Sequence, residues 1–151
     1  MTQQYLNINE VKVTTEPTVF TCYGLGSCLG VFISDRVNLI SGGAHIPLPK
    51  STDGGNFLGA ESILNELFKQ FRNLGSDLNC LRAKITGGAH VYSGGPDVGN
   101  QNTQSVLQLL ISNKVYLAAT DVGGSMSRTA RFNTVTGQLR ISTSEQKTYF
   151  I

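Results

Sequence analysis

Between residues 58 and 74, apolar side chains recur every third or fourth position, at Ala60, Ile63, Leu64, Leu67, Phe68, Phe71 and Leu74. Glu61, Asn65, Glu66, Lys69 and Arg72 take places between them. A period of about 3.6 residues gathers the first set on one face, so the spacing predicts an amphipathic helix closed by Gly75. A second helix is expected over about 103–113, with Asn102 as its N-cap and Val106, Leu107, Leu110 and Ile111 facing inward. The other apolar runs are short, and most are β-branched or alternate with polar residues. They predict strands near 6–13, 19–23, 29–34, 37–41, 81–86, 116–121, 128–133 and 138–142. Two main helices against about eight strands imply an α+β layered sandwich.

Composition narrows the classes. With 40% hydrophobic and 15% charged residues, the 151-residue chain is too apolar and too weakly charged to be disordered. No Pro-, Ser- or Gly-only linker divides it, so 1–151 reads as one domain. Twelve Lys and Arg against ten Asp and Glu leave +2 without a basic block, which argues against nucleic acid as a partner. Apolar stretches such as 29–33 and 106–111 fall far short of the roughly 20 residues of a membrane-spanning helix. Residues 1–13 lack the charged start and apolar centre of an export signal. The expectation is a soluble, cytoplasmic protein without membrane insertion.

Glycine is unusual, at 17 of 151 residues, with pairs beginning at Gly42, Gly54, Gly87, Gly94 and Gly123. Pairs that follow β-prone runs predict strands ending in tight turns that let another backbone or a substrate approach closely. The segment Gly24-Leu25-Gly26-Ser27-Cys28 sets a cysteine on such a turn between two predicted strands. There it reads equally as a buried core thiol or as a nucleophile whose neighbouring backbone N–H groups receive an oxyanion. The glycine spacing misses the dinucleotide fingerprint by one residue and continues into a strand, not a helix. The odd count of three cysteines, Cys22, Cys28 and Cys80, argues against a disulfide framework.

A thiol with an ordinary pKa of about 8.5 needs a base at neutral pH. The two histidines, His45 and His90, both end a Gly-Gly-Ala-His tetrapeptide. His45 lies on the hairpin that returns towards Cys28, whereas His90 needs a non-local contact; either could instead bond a turn carbonyl. Neither C-x-x-C nor H-x₃₋₅-H spacing is present to organise zinc, so no metal is expected. Asp53, Asp97 and Asp121 are dispersed, and Asp121 reads as a turn-orienting residue. Arg128, Arg131 and Arg140 fall on a terminal hairpin, where they form either a solvated face or a surface for an acidic partner.

Five segments, in this order, carry a resemblance: Gly24-Leu-Gly-Ser-Cys28, Gly42-Gly-Ala-His45, Lys84-Ile-Thr-Gly-Gly-Ala89, Gly99-Asn-Gln-Asn102, and Asp121-Val-Gly-Gly124 leading to Arg128-Thr-Ala-Arg-Phe132. Together they resemble the bacterial chemoreceptor glutamine deamidase family, CheD, over about residues 19–141. The resemblance implies an α/β/β sandwich with mostly antiparallel sheets. It also implies Cys28 as nucleophile, His45 as base, and the backbone amides of Ser27 and Cys28 as oxyanion donors. Gly26, Gly43, Gly87 and Gly88 are expected to border the substrate. The reaction implied is hydrolysis of a receptor glutamine to glutamate and ammonia through a thioester, without metal or organic cofactor. Implied partners are chemoreceptor cytoplasmic helices and a CheC-type chemotaxis phosphatase. A non-catalytic interaction module on the same fold is the alternative, and a redox pair of Cys22 with Cys28 is a third reading. One departure stands out: the family usually carries Thr six residues before its cysteine, the position of Cys22 here. Thr21 is one residue too early and is expected on the opposite strand face unless a bulge intervenes. His90 stands where many members carry Asn.

Overall fold

A computed structural model describes residues 1–92 and 94–151. Along the chain come β1 (Thr2–Tyr5), β2 (Val11–Thr14), β3 (Thr18–Leu25), β4 (Leu29–Asp35), β5 (Ile40–Ile46), α1 (Ala60–Asn73), β6 (Leu81–Gly87), α2 (Val98–Ser112), β7 (Tyr116–Val122), β8 (Arg128–Asn133), β9 (Leu139–Thr143) and β10 (Thr148–Phe150). The strands form two mixed sheets, in the orders β1-β3-β8-β9-β10 and β2-β5-β4-β6-β7. Among the described residues only the β1/β3 and β6/β7 strand pairs are parallel. Both helices pack on the second sheet, which gives helix, sheet and sheet in three layers. This is the α+β sandwich that the sequence pattern implies. Among the described residues no helix is long and apolar enough to cross a membrane.

Two cores follow from strand alternation. Leu29, Val31 and Ile33 of β4 face the helices, meeting Ile63, Leu67 and Phe71 of α1. The next residue of the same strand, Phe32, turns the other way and joins Phe20, Cys22, Leu25 and Phe132 between the sheets. Its ring stacks on Phe132 at a centroid distance of 5.6 Å. Gly42 and Gly43 allow the layers to close: a Cβ on Gly42 would lie 3.2 Å from the Phe71 ring, and one on Gly43 would lie 2.8 Å from Leu6 Cδ1.

Several expected boundaries move. The strand expected over 6–13 is broken, because Leu6 turns into the core and the chain reverses through Asn9 at φ +73°. The strand expected over 37–41 instead begins at Ile40, since Asp35 Oδ1 accepts the Val37 and Asn38 amides and holds 36–39 as a turn. The second helix starts five residues before 103: its N-cap is Asp97, whose carboxylate accepts the Asn100 amide, and not Asn102. Ile111, expected inward, is 76% exposed, and Leu74 ends the first helix exposed.

Candidate active site

Cys28 sits in the three-residue connection between β3 and β4. The pairing of β3 with β8 slips between Cys22 and Leu25, and Gly24 takes φ +61°, so the chain leaves the sheet just before the thiol. Three successive carbonyls of the connection are then tied back. Gly26 O accepts from Ala89 N at 2.8 Å, Ser27 O from Asn102 Nδ2 at 2.8 Å, and Cys28 O from Gly88 N at 2.9 Å. A trans peptide sets its N–H opposite the preceding C=O. Anchoring the Gly26 and Ser27 carbonyls therefore turns the Ser27 and Cys28 amides the other way.

The Gly87-Gly88 pair makes this anchoring possible. Both residues are in the left-handed region, at φ +107° and +61°. A Cβ on Gly87 would meet Cys28 O at 2.4 Å, and one on Gly88 would meet Thr103 Oγ1 at the same distance. Asn102, buried on α2, uses its Nδ2 twice, donating to Ser27 O and to Pro47 O at 3.1 Å. One side-chain amide thus joins the ends of the two segments that carry Cys28 and His45.

Hairpin register delivers His45. In the β4/β5 pairing Gly30 lies opposite His45, which returns the imidazole to the end of the hairpin where Cys28 enters. His45 is 4% exposed, and its Nδ1 lies 2.9 Å from the carbonyl oxygen of Leu6. A carbonyl can only accept, so Nδ1 carries the ring proton and Nε2 the lone pair. Among the described residues Nε2 is buried without a hydrogen-bond partner. The His45 backbone is fixed as well, with its amide donating to Glu10 O and its carbonyl accepting from Asn9 N.

Cys28 and His45 share an open cavity of about 430 Å³, walled also by Leu6, Asn7, Ile8, Thr21, Tyr23 and Gly24. A larger groove of about 700 Å³ between the helices presents neither Cys nor His. Burial pushes the Cys28 thiol up, and its own backbone N–H only partly offsets this. Burial also pushes His45 down, against the opposing influence of the Leu6 carbonyl and the Glu10 charge. Both groups therefore rest neutral at pH 7: a protonated thiol beside an unprotonated base.

Cys28 and His45 line one cavity, whose walls include neither Ser27, which directly precedes Cys28, nor Gly26, Gly43, Gly87 and Gly88. Gly43, Gly87 and Gly88 are buried, and a Cβ on Gly26 would lie 3.4 Å from Val91 Cγ2. Cys22, at the expected third polar position, is wholly buried in the core between the sheets, where burial, followed by proximity to Cys28, pushes its thiol far up. Thr21, expected on the far face, lines the cavity instead. His90 bonds Gly94 O and lies 3.9 Å from Asp97, outside the cavity walls. Arg128 is not on a solvated face: it is buried, donates to Asp121 Oδ2 at 3.1 Å and to Gly123 O at 2.9 Å, and reaches Gly87 O at 3.3 Å. Tyr149 donates to the same carboxylate at 2.6 Å, so this network braces Gly87 behind Cys28. The Leu6 carbonyl had no signal in the sequence, because any residue supplies one; Asn102 did, within Gly99-Asn-Gln-Asn102.

A family model described as CheD chemotactic sensory transduction matches residues 48–143, beginning just past His45. The probable chemoreceptor glutamine deamidase CheD of Desulfitobacterium hafniense is 37% identical over 142 residues, covering 89% of each chain. The protein of the same description from Clostridium botulinum is 33% identical over 147 residues, covering 91% of each. That from Haloarcula marismortui is 32% identical over 145 residues, covering 92% of this chain and 84% of the other. Among solved structures, the Bacillus licheniformis hypothetical protein YfiH is similar in fold, with a TM-score of 0.54 at 15% identity. That likeness covers 77% of this chain, which spans about half (51%) of the YfiH chain.

Proposed function

The chain belongs to the CheD family, and from that premise we propose that it is a cytoplasmic protein-glutamine deamidase of chemotaxis, converting glutamine side chains of chemoreceptor helices to glutamate. The observation that carries the reading is the shared cavity, in which the His45 Nε2 lone pair is buried, unpartnered and held in one tautomer on the same walls as the Cys28 thiol. A base already bonded elsewhere would have to break that bond before taking a proton; this one is free.

The steps follow from the resting charges. His45 Nε2 takes the Cys28 proton as the substrate carboxamide enters, and the thiolate sulfur bonds to the amide carbon. Negative charge moves to the carboxamide oxygen, where the Ser27 and Cys28 N–H groups receive it. The C–N bond breaks as His45 returns its proton to the leaving nitrogen, releasing ammonia and a thioester. His45 then takes a proton from water, hydroxide adds to the thioester carbon, and the C–S bond breaks with the proton returned to sulfur. The sum is glutamine plus water to glutamate plus ammonia. Because thiol and imidazole both start neutral, the reactive ion pair forms only in the encounter with substrate, which limits stray alkylation and oxidation of the resting enzyme.

The test is mass spectrometry of chemoreceptor cytoplasmic fragments incubated with the protein, its Cys28→Ala variant and its His45→Ala variant, with released ammonia measured in parallel. Conversion by the unaltered protein, its loss in Cys28→Ala, and a drop of about 10²- to 10⁴-fold in His45→Ala are expected. Receptor fragments that bind without any glutamine changing would overturn the reading.

A further inference from the structure

Both helices cover the second sheet, so the outer face of the first is left to solvent. Register aligns Tyr5, Thr21, Arg131, Arg140 and Phe150 in one row across its strands, on the face opposite Phe20, Cys22 and Ala130. Tyr23, in the next row, stacks on Tyr5 at 5.7 Å, and the Arg131 guanidinium lies 5.5 Å over the Tyr23 ring. Tyr5, Tyr23 and Phe150 are 48%, 54% and 57% exposed. Arg131 and Arg140 are direct cross-strand neighbours, an arrangement in which like charges repel. Among the described residues no carboxylate lies within 4.0 Å of either. A sheet face that keeps two guanidinium groups without a carboxylate partner beside exposed tyrosines has the composition of a protein-binding hot spot. Tyr23 also walls the Cys28 cavity, which makes the face continuous with the candidate site.

We infer that this face docks the substrate protein through an acidic amphipathic helix that carries the target glutamine, with carboxylates meeting Arg131 and Arg140 and an apolar side resting on Tyr5 and Tyr23. The inference rests on the deamidase reading and adds the substrate's chemistry to it. Spacing sets the pattern. β8 and β9 lie one and two strands beyond β3, at about 4.8 Å per strand. A helix crossing these strands advances about 5.4 Å per turn. With the glutamine over the cavity beside β3, acidic residues about three and seven positions along the helix come over Arg131 and Arg140.

Two synthetic helical peptides test this, each with one central glutamine, one bearing Glu at the third and seventh positions beyond it and the other bearing Ser there. Binding to the full-length Cys28→Ala protein is read by fluorescence anisotropy at low and high salt, and ammonia release is read with the unaltered enzyme. The acidic peptide is expected to bind about tenfold tighter, as two exposed charge pairs allow, and to lose that advantage at high salt. Adding Arg131→Gln and Arg140→Gln should reduce it to the affinity of the Ser peptide. Equal binding of the two peptides, or a preference that survives the double substitution, overturns the docking face. If the double variant unfolds, the comparison of the two peptides on the parent protein decides alone. Preferential binding without ammonia from either peptide leaves the docking face standing and removes the deamidase reading.

Discussion

Asn102→Ala is the substitution through which the geometry of the candidate site is best tested. The side chain is fully buried and donates to Ser27 O and Pro47 O, so truncation leaves one half-buried and one buried carbonyl without a donor. Each orphaned acceptor costs about 1–3 kcal/mol. The lower part of that range applies here, because removing the amide opens space beside groups that water can then reach. A loss of about 2.5 kcal/mol follows, a large fraction of the roughly 5–15 kcal/mol that holds a domain together. With a urea slope of about 2 kcal/mol per molar, the unfolding midpoint should fall by about 1.2 M. Asn102→Asp keeps the shape but faces both carbonyls with acceptors, so it should fall further. Urea titrations followed by circular dichroism give both numbers. A shift below about 0.3 M for Asn102→Ala, or equal shifts for the two variants, would refute the claim that donation by this amide holds the two segments together.

Three further outcomes are expected. His45 has a depressed folded pKa, so between that value and the unfolded value of about 6.5 the native state binds fewer protons than the unfolded chain. Stability therefore falls as pH drops through this window, and the urea midpoint of His45→Gln should lose less between pH 7.5 and 5.5 than that of the parent; an equal loss would contradict the buried neutral imidazole. In a Cys80→Ser background, iodoacetamide should alkylate Cys28 with a pH midpoint above that of the same thiol in the urea-unfolded chain, because burial raises it. Gly88→Ala combines left-handed backbone with a Cβ only 2.4 Å from Thr103 Oγ1 and should cost about 3 kcal/mol, whereas Gly124→Ala, also left-handed but with open space around it, should cost about 1 kcal/mol. Calorimetric midpoints of the two variants check the difference.

What the sequence revealed depended on whether the cause was local. The first helix was legible because six of its apolar positions, Ala60 to Phe71, all face the core. The start of the second was hidden by Gly99, Asn100 and Gln101, poor or polar helix formers that tertiary packing overrides. Residues Val37 and Leu39 looked like strand but sit exposed in a turn that Asp35 dictates. That Cys28 and His45 come to one cavity was legible from glycine-flanked motifs and a short hairpin. The exchange of Cys22 for Thr21 at the cavity was not, because the slip in β3 register reverses which residue faces it. Arg128 looked solvent-facing by strand alternation, but its guanidinium folds under a loop contributed by Asp121 and Gly123.

The Leu6 carbonyl has a consequence beyond the geometry of one ring. The group that fixes the His45 tautomer belongs to the main chain, and it is held in place because Leu6 N donates to Thr21 O while its side chain fills the space between the sheets. Such an orienter is inherited through strand pairing and not through a codon. Substitutions at position 6 that keep an apolar plug leave it intact. Conversely, anything that peels the short edge strand β1 off β3 removes the carbonyl that fixes the His45 ring while the Cys28 and His45 side chains keep their own strands, so the orientation of this imidazole answers to whatever grips the first six residues.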